Sequence, residues 1–186
     1  MSVDEVFAAI AANLPFIRGI TVSGGECSLY LPFITALFTK CRGIGLTCLI
    51  DSNGTIPLRD EPVMAVCDGV MLDVKAWDNN TFFHLTGGHN DNVIKNLGEL
   101  SAINKLDEIR VVCFEEEDPV DAERVISGLA GQIEAHKREH TQLKLIRFRC
   151  AGVSGDFKHM PSPSLQRMDR LKQLAIEYGF NKVKII

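Results

Sequence analysis

Short β-branched and aliphatic runs alternate along the chain with longer segments in which apolar residues return every three or four positions. Ser2-Val3-Asp4-Glu5 has the form of a capping box, and Val3, Val6, Phe7 and Ile10 follow at helical spacing, so an opening helix is expected. A strand over Gly19 to Ser23 comes next. An amphipathic helix over 31–42 then carries Phe33, Ile34, Leu37, Phe38 and Cys41 on one stripe and stops at Gly43. Leu46 to Ile50 reads as a second buried strand, ending in Asp51-Ser52-Asn53-Gly54. A short irregular helix over about 57–66 leads to a third, Gly69 to Leu72, which ends in Asp73-Val74-Lys75.

The alternation continues to the last residue. Asp78 is placed to cap a short turn through Phe82 and Phe83, and Asn90 to open a helix carrying Val93, Ile94, Leu97, Leu100 and Ile103. A fourth strand, Ile109 to Phe114, empties into the acidic run 115–118, read as a solvated loop. Asp118-Pro119 is expected to start a helix with Val125, Ile126, Leu129 and Ile133 on its stripe. Lys144 to Cys150 is a fifth strand, Ser164 caps a helix bearing Leu165, Met168, Leu171 and Ala175, and Lys182 to Ile186 reads as one more strand.

Strands that alternate with helices, with no hairpin turn signals between them, call for right-handed crossovers and a parallel α/β sheet in a single domain, residues 1–186. Polar residues gather at the strands' C-terminal ends. That is the site edge in both (β/α) barrels and doubly wound sheets.

Composition narrows the class. With 186 residues, 46% hydrophobic and 24% charged, the chain has the profile of one globular domain, and its net charge of -4 leaves no basic stripe for nucleic acid. The start is acidic rather than basic, and Pro15 and Arg18 interrupt the one long apolar stretch, so no leader or membrane span is expected and a cytoplasmic location is. Six cysteines (27, 41, 48, 67, 113, 150) lie far apart without a C-x-x-C pair and read as small buried hydrophobes.

The stretch GITVSGGE, residues 19–26, is where chemistry is expected first. Two adjacent glycines after a strand let a ligand approach main-chain groups directly, and Glu26 adds a carboxylate at the same rim; a plain strand-to-helix turn is the alternative. Residues two apart on a strand share a face, so Asp51 goes with Asn53, and Asp73 with Lys75. Two neighbouring carboxylates stay ionised only beside positive charge: Lys75, a cation, or the charged part of a zwitterionic, sulfonium-bearing ligand. An Asp-Lys ion pair beside an Asx-turn is the structural alternative. His136 and His140 have the spacing of a zinc pair but sit on a polar tail with no third ligand; Thr86-Gly87-Gly88-His89 reads as a helix stop, and Trp77 as rim packing.

GITVSGGE, LTCLIDSNG and VMLDVKAWD, in that order and at those intervals, resemble the glycyl-radical-enzyme activating enzymes, the pyruvate formate-lyase activating enzyme group of the radical S-adenosylmethionine superfamily. The resemblance runs from about Val3 to the C-terminus and is strongest from Gly19 to Trp77. It implies an incomplete, splayed (β/α) barrel. It further implies that Ser23, Gly24, Gly25 and Glu26 hold the methionine end of S-adenosylmethionine, while Asp51, Asn53, Asp73 and Lys75 hold the rest of it or line the site for the partner's glycyl loop. The implied reaction is reductive cleavage of S-adenosylmethionine on a [4Fe-4S] cluster, fed by a reductant such as flavodoxin, giving a radical that takes a hydrogen from a glycine of a pyruvate formate-lyase-like enzyme.

The chain departs from that pattern in three places. The family's C-x-x-x-C-x-x-C cluster loop has no counterpart, so the resemblance implies the C-terminal, cofactor-cradling portion of an activase, inactive alone; three thiolates around one cubane need a compact loop that these cysteines lack. The family's L-P-Y-H-x-x-G becomes Ile146 to Gly152, which puts Arg149 at the position of a cofactor-reaching histidine. Val111-Val112-Cys113-Phe114 replaces V-V-P-G. A cluster-free module that binds S-adenosylmethionine or a glycyl-radical enzyme, and a barrel lyase using Lys75 as a Schiff-base amine, remain the alternatives.

Overall fold

The computed structural model describes residues 1–115, 119–153 and 155–186, apart from the side chain of residue 156. Six strands, β1 (Gly19–Val22), β2 (Thr47–Ser52), β3 (Gly69–Asp73), β4 (Leu106–Cys113), β5 (Gln142–Arg147) and β6 (Lys182–Ile185), make one sheet. Every neighbouring pair is parallel, and spatial order is chain order. A doubly wound sheet reverses its strand order at a switch point, and this one does not. Winding always in one direction with right-handed crossovers keeps the helices on one face. Because β1 and β6 are not paired with each other, the result is an open (β/α) barrel.

The helices are α1 (Val3–Ala11), α2 (Leu31–Gly43), α3 (Asn79–Thr86), α4 (Asp91–Ala102), α5 (Ala122–Gln132), the single turn α6 (Ala135–Arg138) and α7 (Leu165–Glu177). The capping box of α1 forms: Ser2 Oγ accepts from the Glu5 N–H at 3.2 Å and Glu5 Oε2 accepts from the Ser2 N–H at 2.7 Å. Asp78 caps α3, which Gly87 ends in the left-handed conformation. The expected helix around 57–66 contracts to a 3₁₀ turn, Pro62–Ala65.

Two boundaries differ from expectation for identifiable reasons. The helix expected from Asp118-Pro119 starts at Ala122, because Asp121 sits at φ 53°, off the helical path, and its carboxylate accepts from the Arg124 N–H at 3.1 Å; residues 116–118 of the acidic run lie outside the described residues. β5 ends at Arg147 rather than Cys150. Its last partners are Cys113 and the Ile186 carbonyl, and beyond them no neighbouring strand continues.

Alternation along the strands separates two faces. In β2, Cys48, Ile50 and Ser52 are buried while Thr47, Leu49 and Asp51 turn the other way. The helix-covered side holds the core, with Ile50, Leu72, Ile109 and Leu145 fully buried against Phe38, Leu97, Leu129 and Met168. α5 approaches β3's exit so closely that Trp77 lies flat on Gly128, where a Cβ would stand 2.2 Å from the indole ring. The opposite face carries Asp51, Asp73, Glu108, Arg110 and Lys144 beside the apolar Leu49, Met71, Val112 and Ile146.

Candidate functional site

β1 delivers Gly24 and Gly25 to the C-terminal edge with φ of 98° and 53°, a backbone that L side chains rarely adopt, and nothing lies within 4 Å of where a Cβ would stand on either. Their peptide groups are therefore open to a ligand. A cavity of about 330 Å³ adjoins them, lined by Val22, Ser23 and Gly24 and by Tyr30, Phe33 and Ile34.

Glu26 is not the free rim carboxylate that its position after the glycines suggests. Its Oε1 accepts from the Ser28 N–H at 3.0 Å and from Ser52 Oγ at 2.8 Å, and its Oε2 from the Asn53 N–H at 2.8 Å. Burial pushes this carboxyl up, but the hydrogen bonds from Ser28, Asn53 and Ser52 outweigh it and hold it below the ordinary range. Glu26 thus ties β1's exit to β2's.

Asp51 and Asp73 do share the polar face, since Asp51 is in register with Met71, two residues before Asp73. They are held apart electrically. Asp51 Oδ2 accepts from Arg110 Nη1 at 2.7 Å, and Asp73 Oδ2 accepts from Lys75 Nζ at 2.8 Å. Asn53 turns away from Asp51 and closes an Asx-turn, its Oδ1 accepting from the Thr55 N–H at 2.9 Å and the Thr55 hydroxyl at 2.7 Å. Both structural alternatives are therefore present at the site.

The sequence reading missed the cation beside Asp51 and the lattice behind it. Glu108 is 3% exposed and accepts from Arg110 Nε at 2.6 Å, from Gln142 Nε2, and from Lys144 Nζ at 2.7 Å. Burial raises its carboxyl, and the Lys144 and Arg110 contacts more than reverse this, leaving it below the usual value. The available signal was Glu108-Ile109-Arg110 itself, an oppositely charged pair two apart on one face of a strand. α4 supplies the other missed support: fully buried Asn96 accepts from the Leu58 N–H at 3.0 Å and donates to the carbonyls of Gly54 and Ile56 at 2.9 and 2.8 Å, while Asn90 donates to those of Ala76 and Trp77.

Arg149 lies on the other side of the edge, beyond β5, exposed on the wall of a second cavity that Lys75 also lines. His136 faces Glu134 at 3.4 Å on the exposed turn α6.

The donor set does not fit an iron–sulfur cluster. Cys27, Cys41, Cys48, Cys67 and Cys113 are buried and only Cys150 is exposed. Burial pushes the thiols of Cys27 and Cys67 up to about 11 and that of Cys48 to about 12, and each lies inside the core away from a shared centre. Among the described residues no three His, Cys, Asp or Glu side chains converge on one point that could hold a metal ion, and no helix is long and apolar enough to cross a membrane.

No family model matches the chain. It is 26% identical to a Haemophilus influenzae protein named as a glycyl-radical enzyme activating enzyme, across the whole chain and 78% of that relative. It is also 26% identical to the pyruvate formate-lyase-activating enzyme of Staphylococcus epidermidis, over 88% of the chain and 71% of the relative. Among solved structures, a domain of the pyruvate-formate lyase-activating enzyme from Bacteroides vulgatus superposes with a TM-score of 0.72 at 19% identity, covering 90% of this chain and 98% of that one. Streptococcus suis SuiB bound to S-adenosylmethionine superposes with a TM-score of 0.69 at 14% identity, covering all of this chain and 43% of that one. The fold is thus the partial barrel of the radical S-adenosylmethionine enzymes, and the chain is a homologue of the glycyl-radical enzyme activating enzymes.

Proposed function

We propose that this chain is the S-adenosylmethionine-cradling sheet of a glycyl-radical enzyme activase, whose partner is a glycyl-radical enzyme of the pyruvate formate-lyase kind. The observation that carries the reading is the placement of GGE, DSNG and DVK on three adjacent parallel strand ends, with the Gly24-Gly25 backbone open beside a cavity.

The residues present fit the cofactor's methionyl end. The peptide groups of Ser23, Gly24 and Gly25 can donate to a carboxylate and accept from an ammonium without a side chain in the way. Glu26 acts one step back, holding Asn53 and Ser52 so that the two exits keep their spacing. The Asp73-Lys75 pair, with both side chains partly exposed, offers one charge of each sign to a zwitterion. S-adenosylmethionine, when bound, supplies the adenosyl group that the family's chemistry uses.

The cysteines of this chain do not hold a cluster, so for these residues the reading is binding and positioning, with reductive cleavage left to a cluster that they do not ligate. That same misfit favours, as a second reading, a module that grips S-adenosylmethionine or a glycyl-radical enzyme without chemistry. Calorimetric titration of the chain with S-adenosylmethionine tests the first reading. Saturable binding that weakens at least tenfold in G24V and G25V is expected; no heat of binding up to roughly 1 mM, a free energy of only about 4 kcal/mol, would remove it. Tight binding that depends on Lys75 would favour the second.

A further inference from the structure

Three asparagines of α4 hold two strand exits at once. Asn96 uses both amide hydrogens on the carbonyls of Gly54 and Ile56 and its oxygen on the Leu58 N–H, and Asn92 donates to the Thr55 carbonyl at 2.8 Å. Those partners form the turn that follows β2. Asn90, 2% exposed, donates to the carbonyls of Trp77 at 2.7 Å and Ala76 at 3.3 Å, the two residues after Lys75. Asn90 stands at the N-cap of α4, where an asparagine side chain ordinarily accepts from a first-turn N–H, yet it makes no capping bond. Its amide is directed to the β3 exit instead. The β2 turn also rests on the helix itself: a Cβ on Gly54 would stand 3.5 Å from the Val93 Cα.

β2 and β3 pair only as far as Ser52 and Leu72, so beyond those residues the ladder between them no longer fixes how the two exits are spaced. α4 spans that gap. We propose that Asn90, Asn92 and Asn96 are positioning residues, which through α4 fix the turn after β2 against Lys75. Glu26 ties the glycine exit to the same turn through Ser52 and Asn53. The Gly24-Gly25 backbone and Lys75 therefore face one ligand at a set distance. This role deepens the S-adenosylmethionine reading and rests on it. Because each asparagine is bonded to buried main chain, a carbonyl that moves loses its bond or takes the helix with it.

The test uses the whole isotope-labelled chain with N90S, whose side chain suits a helix start but is too short for Ala76 and Trp77, and N96S. Each should shift amide signals at the exit its own side chain does not touch: residues 54–58 in N90S, residues 75–77 in N96S. Calorimetric titration with S-adenosylmethionine, well below the unfolding midpoint so that only folded chain is read, should show at least fivefold weaker binding in both. N92A, at a half-buried position, gives the same affinity readout should N96S not fold. A purely structural role would lower the midpoint and leave the affinity alone. Shifts confined to the exit beside each substitution, or affinities unchanged in N90S and N92A, would overturn the positioning role by itself. An unmodified chain that binds no S-adenosylmethionine would overturn the cofactor reading and this role together.

Discussion

Arg110 reaches over an entire strand to Asp51. It stands on β4, Asp51 on β2, and the guanidinium passes above Met71 of β3, with Nη2 3.1 Å from the thioether sulfur and Nη1 2.7 Å from the carboxylate. Three strands are thereby clamped on their polar face, where no helix covers them.

Removing that clamp should be costly. R110M leaves Asp51 without its cation and takes one donor from Glu108, and breaking such a half-buried pair is expected to cost about 2–4 kcal/mol. D51N should cost less, since Arg110 keeps Glu108. Urea unfolding of R110M, D51N and the double variant should give a coupling of about 1–3 kcal/mol; additivity within 0.3 kcal/mol, about the limit for independent sites, would show that the pair contributes nothing to the fold.

Glu26 and Glu108 make stability depend on acid. Both folded carboxyls sit below the ordinary 4.5, so the unfolded chain takes up protons first as pH falls. Their contribution is complete above about pH 4.5 and is lost progressively below it, down through the folded-state values. Denaturation midpoints should be level between pH 6 and 5 and drop steeply under pH 4. In E108Q the drop should be shallower.

Glu26 is an acceptor facing three donors. E26Q replaces one acceptor oxygen by a donor NH₂ aimed at another N–H or O–H, at a cost of about 1–3 kcal/mol. If S-adenosylmethionine binds at the glycines, its affinity should fall in E26Q through displacement of Ser52 and Asn53. An E26Q chain with unchanged amide spectra at residues 52–54 would show that the brace is dispensable.

Gly128→Ala sets two effects against each other. Helix propensity favours alanine by about 1 kcal/mol, whereas the new methyl group would meet the Trp77 indole at 2.2 Å, an overpacking worth about 1–3 kcal/mol. A rigid aromatic ring wedged under Asn90's hydrogen bonds yields poorly, so net destabilisation is expected. Trp77 is the only tryptophan, so its emission reports the displacement directly.

Thiol chemistry checks the cysteines. In the native chain one thiol, Cys150, should react rapidly with a disulfide reagent and five slowly, rising to six on unfolding. Anaerobic incubation of the chain with iron and sulfide should give no stoichiometric [4Fe-4S] absorbance. One cluster per chain would mean that the buried thiols rearrange to reach a common centre.

Much of this architecture was legible in the order of residues. Alternating strand and helix periods predicted the parallel sheet, and the polar exits after Ser23, Ile50 and Leu72 predicted that these residues share one edge, because each depends on spacing within one segment. What could not be read depends on who stands opposite whom. Glu26 looked free because Ser52 and Asn53, 26 and 27 residues on, are its partners; Asp51 seemed to lack a cation because Arg110 lies 59 residues away. The start of α5 was missed for a local reason, the left-handed Asp121, which no apolar periodicity reports.

Coincidence of spatial and chain order makes the sheet behave as a one-dimensional stack. Each strand hands its hydrogen bonds only to the strand before and the strand after it, so an opening at either end need not disturb the middle. Amide exchange should therefore follow a slope: fast at β1 and β6, slowest at β3 and β4. The glycine exit hangs from one fast end, β1. The strand exit proposed to meet the cofactor is thus the one that can loosen on its own, while the centre of the sheet beside it stays closed.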